Sequence, residues 1–197
     1  MSWSRLQERF RKLMTGLARI VDRTPLTPNS ITIFGSALNL VPALLIAFDY
    51  HLWAGIVLLP ATALDSLDGA LARLQGSASR FGAFLDSVLD RYVEIFFFAG
   101  LSWHYAQSSG HWGVFGSLLA ISGSLMVSYC RARAEGLGLE CKVGFLQRPE
   151  RLLILGLSLV AAAVVADWIL LAAVWVLAAV TNFTALQRIL HVRRSTG

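Results

Sequence analysis

The stretch DSLDGALARLQGSASRFGAFLDSVLD, residues 65–90, holds four aspartates between two apolar runs, WAGIVLLPATAL before it and RYVEIFFFAGLSW after it. A carboxylate at the centre of a membrane-spanning helix costs roughly 3 kcal/mol. Four of them at the edge of apolar sequence require something that compensates their charge.

The rest of the chain has a membrane protein's composition. Of its 197 residues, 56% are hydrophobic and 15% charged, against about 45–50% apolar in soluble domains. Six apolar segments, at about 31–48, 52–74, 81–106, 112–133, 149–166 and 168–190, each approach the roughly 20 residues that cross a bilayer as a helix. No period-two alternation is present, and isolated strands cannot span lipid. The expected fold is therefore all-α and integral to the membrane: six transmembrane helices bundled over 31–190, in one domain covering 1–197. Residues 2–23 place Trp3, Leu6, Phe10, Leu13, Met14, Leu17 and Ile20 at helical spacing among Arg5, Arg9, Arg11, Lys12 and Arg19. That pattern predicts an amphipathic helix lying in the membrane interface. Pro25 and Pro28 end it, and Asn29 or Ser30 is expected to cap the helix that follows.

Charge sets the orientation. Sixteen of the seventeen Lys and Arg residues fall at or next to the side shared by the N-terminus, the 74–80 turn, the 134–148 loop and the C-terminus. The opposite links, around Asp49–His51, Gln107–His111 and Asp167, have none. The positive-inside rule then predicts a multi-pass protein of the cell membrane with both termini cytoplasmic. The net charge of +5 reads as attraction to anionic membrane lipids, not to nucleic acid. No cleavable signal peptide is expected. Cys130 and Cys141 have neither metal-site nor disulfide-framework spacing and are read as reduced thiols.

Asp65 and Asp68 are three apart and share a face near the cytoplasmic end of the second span. Asp86 and Asp90 are four apart at the start of the third. A small, polar turn joins the two spans, so the carboxylate pairs are expected to face each other across a hairpin just inside the cytoplasmic surface. Arg73 and Arg91 point to different helical faces from most of these acids. Hard oxygen donors without His or Cys suit Mg²⁺ or Mn²⁺, and two such ions commonly partner phosphoryl-transfer chemistry. Helix caps or solvated groups explain one or two such acids, not four on both arms of a hairpin. An ion or proton transporter, the alternative of another class, would need polar groups along the whole path, and the outer halves of these spans carry almost none.

The same stretch reads D-x2-D-G-x2-A-R-x8-G-x3-D-x3-D without departure, through Asp65, Asp68, Gly69, Ala72, Arg73, Gly82, Asp86 and Asp90. This resembles the signature of the CDP-alcohol phosphotransferase family, and the six spans and the amphipathic N-terminal helix extend the likeness over nearly the whole chain. The resemblance implies a phospholipid-synthesising transferase that moves a phosphatidyl group from CDP-diacylglycerol, or a similar CDP-lipid, to an acceptor alcohol and releases CMP. It implies that Asp65, Asp68 and Asp86 hold two Mg²⁺ ions (or Mn²⁺), and that Asp90 approaches a metal and is the general base. Gly69 would let the nucleotide approach the backbone, and Arg73 and Ser79 resemble nucleotide or phosphate contacts. Pro28, Asn29, Ser30 and Ile31 resemble the family's PNxLT segment, with Ile31 where Leu is usual, and would border the CDP site. The family is often dimeric, so a homodimer is expected.

The acceptor is read from two further stretches. LDSVLDR gives D-S-x2-D-R, which looks more like the family's inositol-phosphate branch than the D-P-x-A-D-K of glycerol-phosphate transferases. SYCRARAEGLG and GFLQRPERLLIL resemble runs of the same branch. A phosphorylated polyol acceptor needs cations in its pocket. Arg131 and Arg151 are the leading candidates, with Arg148 and Arg188, and Glu135 and Glu150 as residues that hold arginines in place. The expected acceptor is myo-inositol phosphate, with glycerol 3-phosphate and free inositol as rivals within the class.

Overall fold

The structure, a computed structural model, describes residues 16, 19, 27–75, 79–108 and 110–196, without the side chains of 28, 63–70, 72 and 73. The amphipathic helix expected over 2–23 lies, apart from residues 16 and 19, outside the described residues. The described chain is helical and contains no strand. Its helices are α1 (Pro28–Leu38), α2 (Leu40–Ala47), α3 (His51–Leu74), α4 (Arg80–Gln107), α5 (His111–Gly136), α6 (Arg148–Val164) and α7 (Trp168–Thr196).

Local chemistry sets these boundaries. Thr27 caps α1: its Oγ1 accepts the Ser30 N–H at 3.2 Å. The cap expected at Asn29 or Ser30 falls earlier because Pro28, which has no N–H to lose, is preset for the first turn. The first apolar segment is two helices, not one. Asn39 sits between them, 1% exposed, with its Nδ2 donating to the Gly35 carbonyl at 2.9 Å. Pro42 explains the break, since its ring crowds the carbonyl four residues back and offers that carbonyl no N–H. Gln147 and Glu150 form a capping box that opens α6, with the Gln147 N–H donating to Glu150 Oε2 at 2.7 Å.

The chain forms two compact units, one of residues 1–40 with 60–93 and one of 41–59 with 94–197. The second is held together by glycines that let backbones approach. In α5, Gly116 faces Val174 and Trp175 of α7, and Gly123 faces Thr181 and Asn182 of the same helix. Asn182 donates across that contact to the Leu119 carbonyl at 3.0 Å. Gly55 of α3 packs on Gly156 and Val160 of α6. Leu58, Phe97, Leu101, Leu155, Leu159, Leu170 and Leu177 fill the interior of this unit.

Large apolar side chains also stay exposed along every helix, among them Phe34, Leu44, Trp53, Phe84, Trp112, Leu157 and Phe183. Water-soluble proteins do not sustain such surfaces. Three helical segments among the described residues are long and apolar enough to cross a bilayer: Asn29–Ala47, His111–Gly136 and Trp168–Thr196. The protein is a membrane protein.

Close α3–α6 packing is testable at Gly55, where a Cβ would lie 2.6 Å from Val160 Cγ2 and 2.8 Å from the Gly156 carbonyl oxygen. Gly55→Leu is expected to cost about 1–3 kcal/mol through overpacking. The check is a lowered melting temperature in detergent, and an unchanged one would refute the contact.

Candidate active site

In the first unit, the starts of α1 and α4 come together. Gly82 lies with its Cβ position 3.0 Å from Asn29 Oδ1 and 3.1 Å from Ser79 Oγ, so a side chain there would strike both. Ser79 is the N-cap of α4: its Oγ accepts the Gly82 N–H at 2.9 Å. Ser79 and Ser30 are exposed, and Asn29 and Ile31 are half-buried. Three segments that the sequence singled out, 28–31, Ser79 and Gly82, thus form one polar corner.

Asp86 and Asp90 follow on α4, one turn apart and both half-buried. Arg91, expected on another face, nonetheless brings its NH1 to 3.6 Å from Asp90 Oδ2 while donating to the Ser87 carbonyl at 2.6 Å. Asp65, Asp68, Gly69 and Arg73 lie on α3, where side chains are outside the described set, as is that of Pro28. The donor set is oxygen-only and suits a hard divalent ion.

In the second unit, cations gather around the 137–147 loop. Arg151 is 4% exposed and paired with Glu94, itself 1% exposed: Nε and NH2 both donate to Oε1, at 3.1 and 2.7 Å. Its NH1 donates to the Leu146 carbonyl at 3.1 Å. Arg188, also buried, donates from Nε to the Val143 carbonyl at 2.9 Å and from NH1 to the Val127 carbonyl at 2.6 Å. Thr184 exchanges hydrogen bonds with Phe145, accepting its N–H at 3.2 Å and donating to its carbonyl at 3.0 Å. Gly144, at φ 118°, can sit against Thr184 because it has no side chain. Arg131 is half-exposed and pairs with Glu135 at 2.8 Å. Arg148 is half-buried at the start of α6.

Arg188 lies close enough to Arg131 and Arg151 to feel both charges. Two carboxylates, Glu94 and Glu135, answer these three guanidiniums, and among the described residues none pairs with Arg188. The group therefore retains positive charge, a physical basis for binding an anion.

Glu135 does hold Arg131, as expected. Glu150 instead turns its carboxylate to the α6 start, and the acid that holds Arg151 is Glu94, which the sequence reading missed. Its signal was present: a lone acid inside RYVEIFFF must find a cation.

The chain matches the family described as CDP-alcohol phosphatidyltransferase over residues 25–184. It is 39% identical to the phosphatidylinositol phosphate synthase of Mycobacteroides abscessus over 97% of this chain and 88% of that one. It is 37% identical to the archaetidylinositol phosphate synthase of Methanothermobacter thermautotrophicus over 88% and 86%. A crystal structure of the Mycobacterium tuberculosis phosphatidylinositol phosphate synthase with CDP-DAG bound superposes with a TM-score of 0.85 at 33% identity, covering 92% of this chain and 94% of that one. The same enzyme in complex with manganese and citrate gives a TM-score of 0.85 at 34% identity, over 91% and 88%. These likenesses and the aspartate signature define a membrane-embedded phosphotransferase, an enzyme that works with divalent metal. The chain belongs to the CDP-alcohol phosphatidyltransferase family.

The Glu94–Arg151 pair gives a stability test. Glu94→Gln leaves a buried guanidinium without its counter-charge and is expected to cost about 3–5 kcal/mol, read as a large drop in melting temperature. The double variant Glu94→Leu/Arg151→Met should recover most of that loss, because the partnerless charge is gone. A double variant as unstable as Glu94→Gln would contradict this account.

Proposed function

We propose that the protein transfers the phosphatidyl group of CDP-diacylglycerol to the hydroxyl of a myo-inositol phosphate, giving a phosphatidylinositol phosphate and CMP. The observation that carries this choice of acceptor is the net positive charge of the group formed by Arg131, Arg151 and Arg188 with Glu94 and Glu135, in which three guanidiniums meet two carboxylates among the described residues. A phosphorylated polyol brings the dianion that such a group lacks, whereas free inositol does not. The phosphatidylinositol phosphate synthases among the relatives support the same choice.

Asp90 takes the acceptor's hydroxyl proton as that oxygen attacks the lipid-side phosphorus. A new phosphorus–oxygen bond forms, the anhydride bond breaks, and CMP leaves with the anhydride oxygen. Asp65, Asp68, Asp86 and Asp90 would hold two Mg²⁺ ions, which when bound neutralise the pyrophosphate and the departing phosphate. Asn29, Ser30, Ile31 and Ser79, with Pro28, Gly69 and Arg73, border the CDP group, and the exposed Ser79 hydroxyl can donate to a phosphate while its oxygen caps α4. Arg131 binds the acceptor phosphate directly. Its Glu135 partner is half-exposed and easily displaced, since surface pairs contribute little. Arg151 and Arg188, each already donating to carboxylate or carbonyl oxygens, supply field and position, and Arg148 stands at the same end of α6.

The rest of the reading follows the positive-inside rule. Six segments cross the cell membrane, both termini are cytoplasmic, and the aspartates open to the cytoplasm. The family likeness also supports a homodimer.

CMP release from CDP-diacylglycerol and Mg²⁺ by the purified protein tests this. Release is expected with inositol 1-phosphate and not with glycerol 3-phosphate, inositol or serine. Release with glycerol 3-phosphate alone would overturn the acceptor and keep the transferase. Asp90→Asn should lower kcat by about 10²–10⁴-fold. Arg131→Ala should raise KM for the inositol phosphate by tenfold or more and leave KM for CDP-diacylglycerol unchanged; equal effects on both would remove Arg131 from the acceptor site.

A further inference from the structure

Asp49, His51 and His104 meet at the link between α2 and α3 and the C-terminal end of α4, all within the second compact unit. Their sequence positions leave them outside the aspartate signature, and the reaction above does not use them. His51 Nε2 and His104 Nδ1 each lie 3.5 Å from Asp49 Oδ1. The two imidazoles stand edge to face with centroids 4.5 Å apart. His51 is 5% exposed and its Nε2 is buried without a hydrogen bond. Buried polar atoms are almost always partnered, so this nitrogen, aimed at an acid and a second imidazole, calls for a ligand.

The backbone points the same way. Asp49 has φ 69°, the left-handed conformation that ends a helix and ordinarily belongs to glycine. The Tyr50 N–H donates to the Leu45 carbonyl at 2.8 Å and the Asp49 N–H to that of Ile46 at 3.2 Å, completing the helix-terminating motif. Glycine would fill this position without strain. Here it carries a carboxylate set between two histidines.

We propose that Asp49, His51 and His104 bind one divalent transition-metal ion of the zinc class. Two imidazole nitrogens and a carboxylate oxygen are the donors such ions prefer, and magnesium avoids nitrogen. Ligand bonds of about 2.0–2.2 Å in a tetrahedron put neighbouring donor atoms about 3.4 Å apart, and the two Asp49 separations match. All three donor atoms lie within 4.8 Å of one another. Asp49 and His51 also line a hollow of 290 Å³, with Trp53 and Asp167. The ion would pin the α2–α3 link to the end of α4. On the topology proposed above this is the non-cytoplasmic face, opposite the transferase chemistry.

The test uses the full chain in detergent, purified without a histidine tag and stripped with chelator. Saturating Mg²⁺ is added first, then Zn²⁺ is titrated by calorimetry and by thermal unfolding. One equivalent of Zn²⁺ and a melting temperature raised by about 5 °C are expected. Co²⁺ in its place should give the intense visible bands of a tetrahedral nitrogen-containing site. Asp86→Asn should keep these signals. His104→Ala and Asp49→Gly should lose them, with affinity down tenfold or more; Asp49→Gly is the safer variant because glycine suits that backbone. No zinc-dependent shift in the wild-type chain, or a shift that survives in Asp49→Gly and His104→Ala, would overturn the proposal.

Discussion

Burying a carboxylate costs several kcal/mol unless a cation meets it. Glu94 is sealed from solvent at the middle of α4, so Arg151 must stand where it stands. The pair reaches across 57 residues of sequence and ties the start of α6 to α4. Arg151 then fixes Leu146 through its third donor, and the loop ahead of α6 is held from its other side by Thr184 and Arg188 of α7. One electrostatic requirement thus determines where a helix begins, how a loop lies and which arginine remains available. Arg131, whose partner among the described residues is the half-exposed Glu135, has freedom to change partner.

The polar corner at the starts of α1 and α4 has a different logic. There the groups are small and near the surface, and backbone geometry positions them. Ser79 closes the end of α4, Gly82 leaves the space that Asn29 occupies, and Asp86 and Asp90 follow in register because a helix repeats every 3.6 residues. The corner and the arginine group are separate sets of side chains, one in each compact unit.

Much of this was legible in the sequence. The helices begin and end within a few residues of the apolar segments, since in a bilayer length and hydrophobicity leave few alternatives. The aspartate signature and the resemblance it carries gave the enzyme class. What escaped was set by contacts distant in sequence or by single residues. The partner of Arg151 was sought at Glu150, next in the chain, and stood on α4. By length and hydrophobicity residues 31–48 read as one helix, and Asn39 and Pro42 divide them. The expected cap was Asn29 or Ser30, and the cap is Thr27, directly before the Pro28 that opens the helix. Asp49, His51 and His104 looked like a link and a helix end that merely lack Lys and Arg; only folding brings His104 to the other two.

The packing of α7 on α5 bears on how the protein is made. These two helices meet through Gly116 and Gly123, and α6 lies between them in sequence. When α5 leaves the ribosome, the surface it is shaped to fit has not yet been synthesised. The α5 glycine groove must wait in the lipid while α6 follows, and its burial is completed only once Thr181 and Asn182 arrive. The α5–α7 contact of the second unit therefore forms late, after α7 has been made, by the two helices meeting sideways.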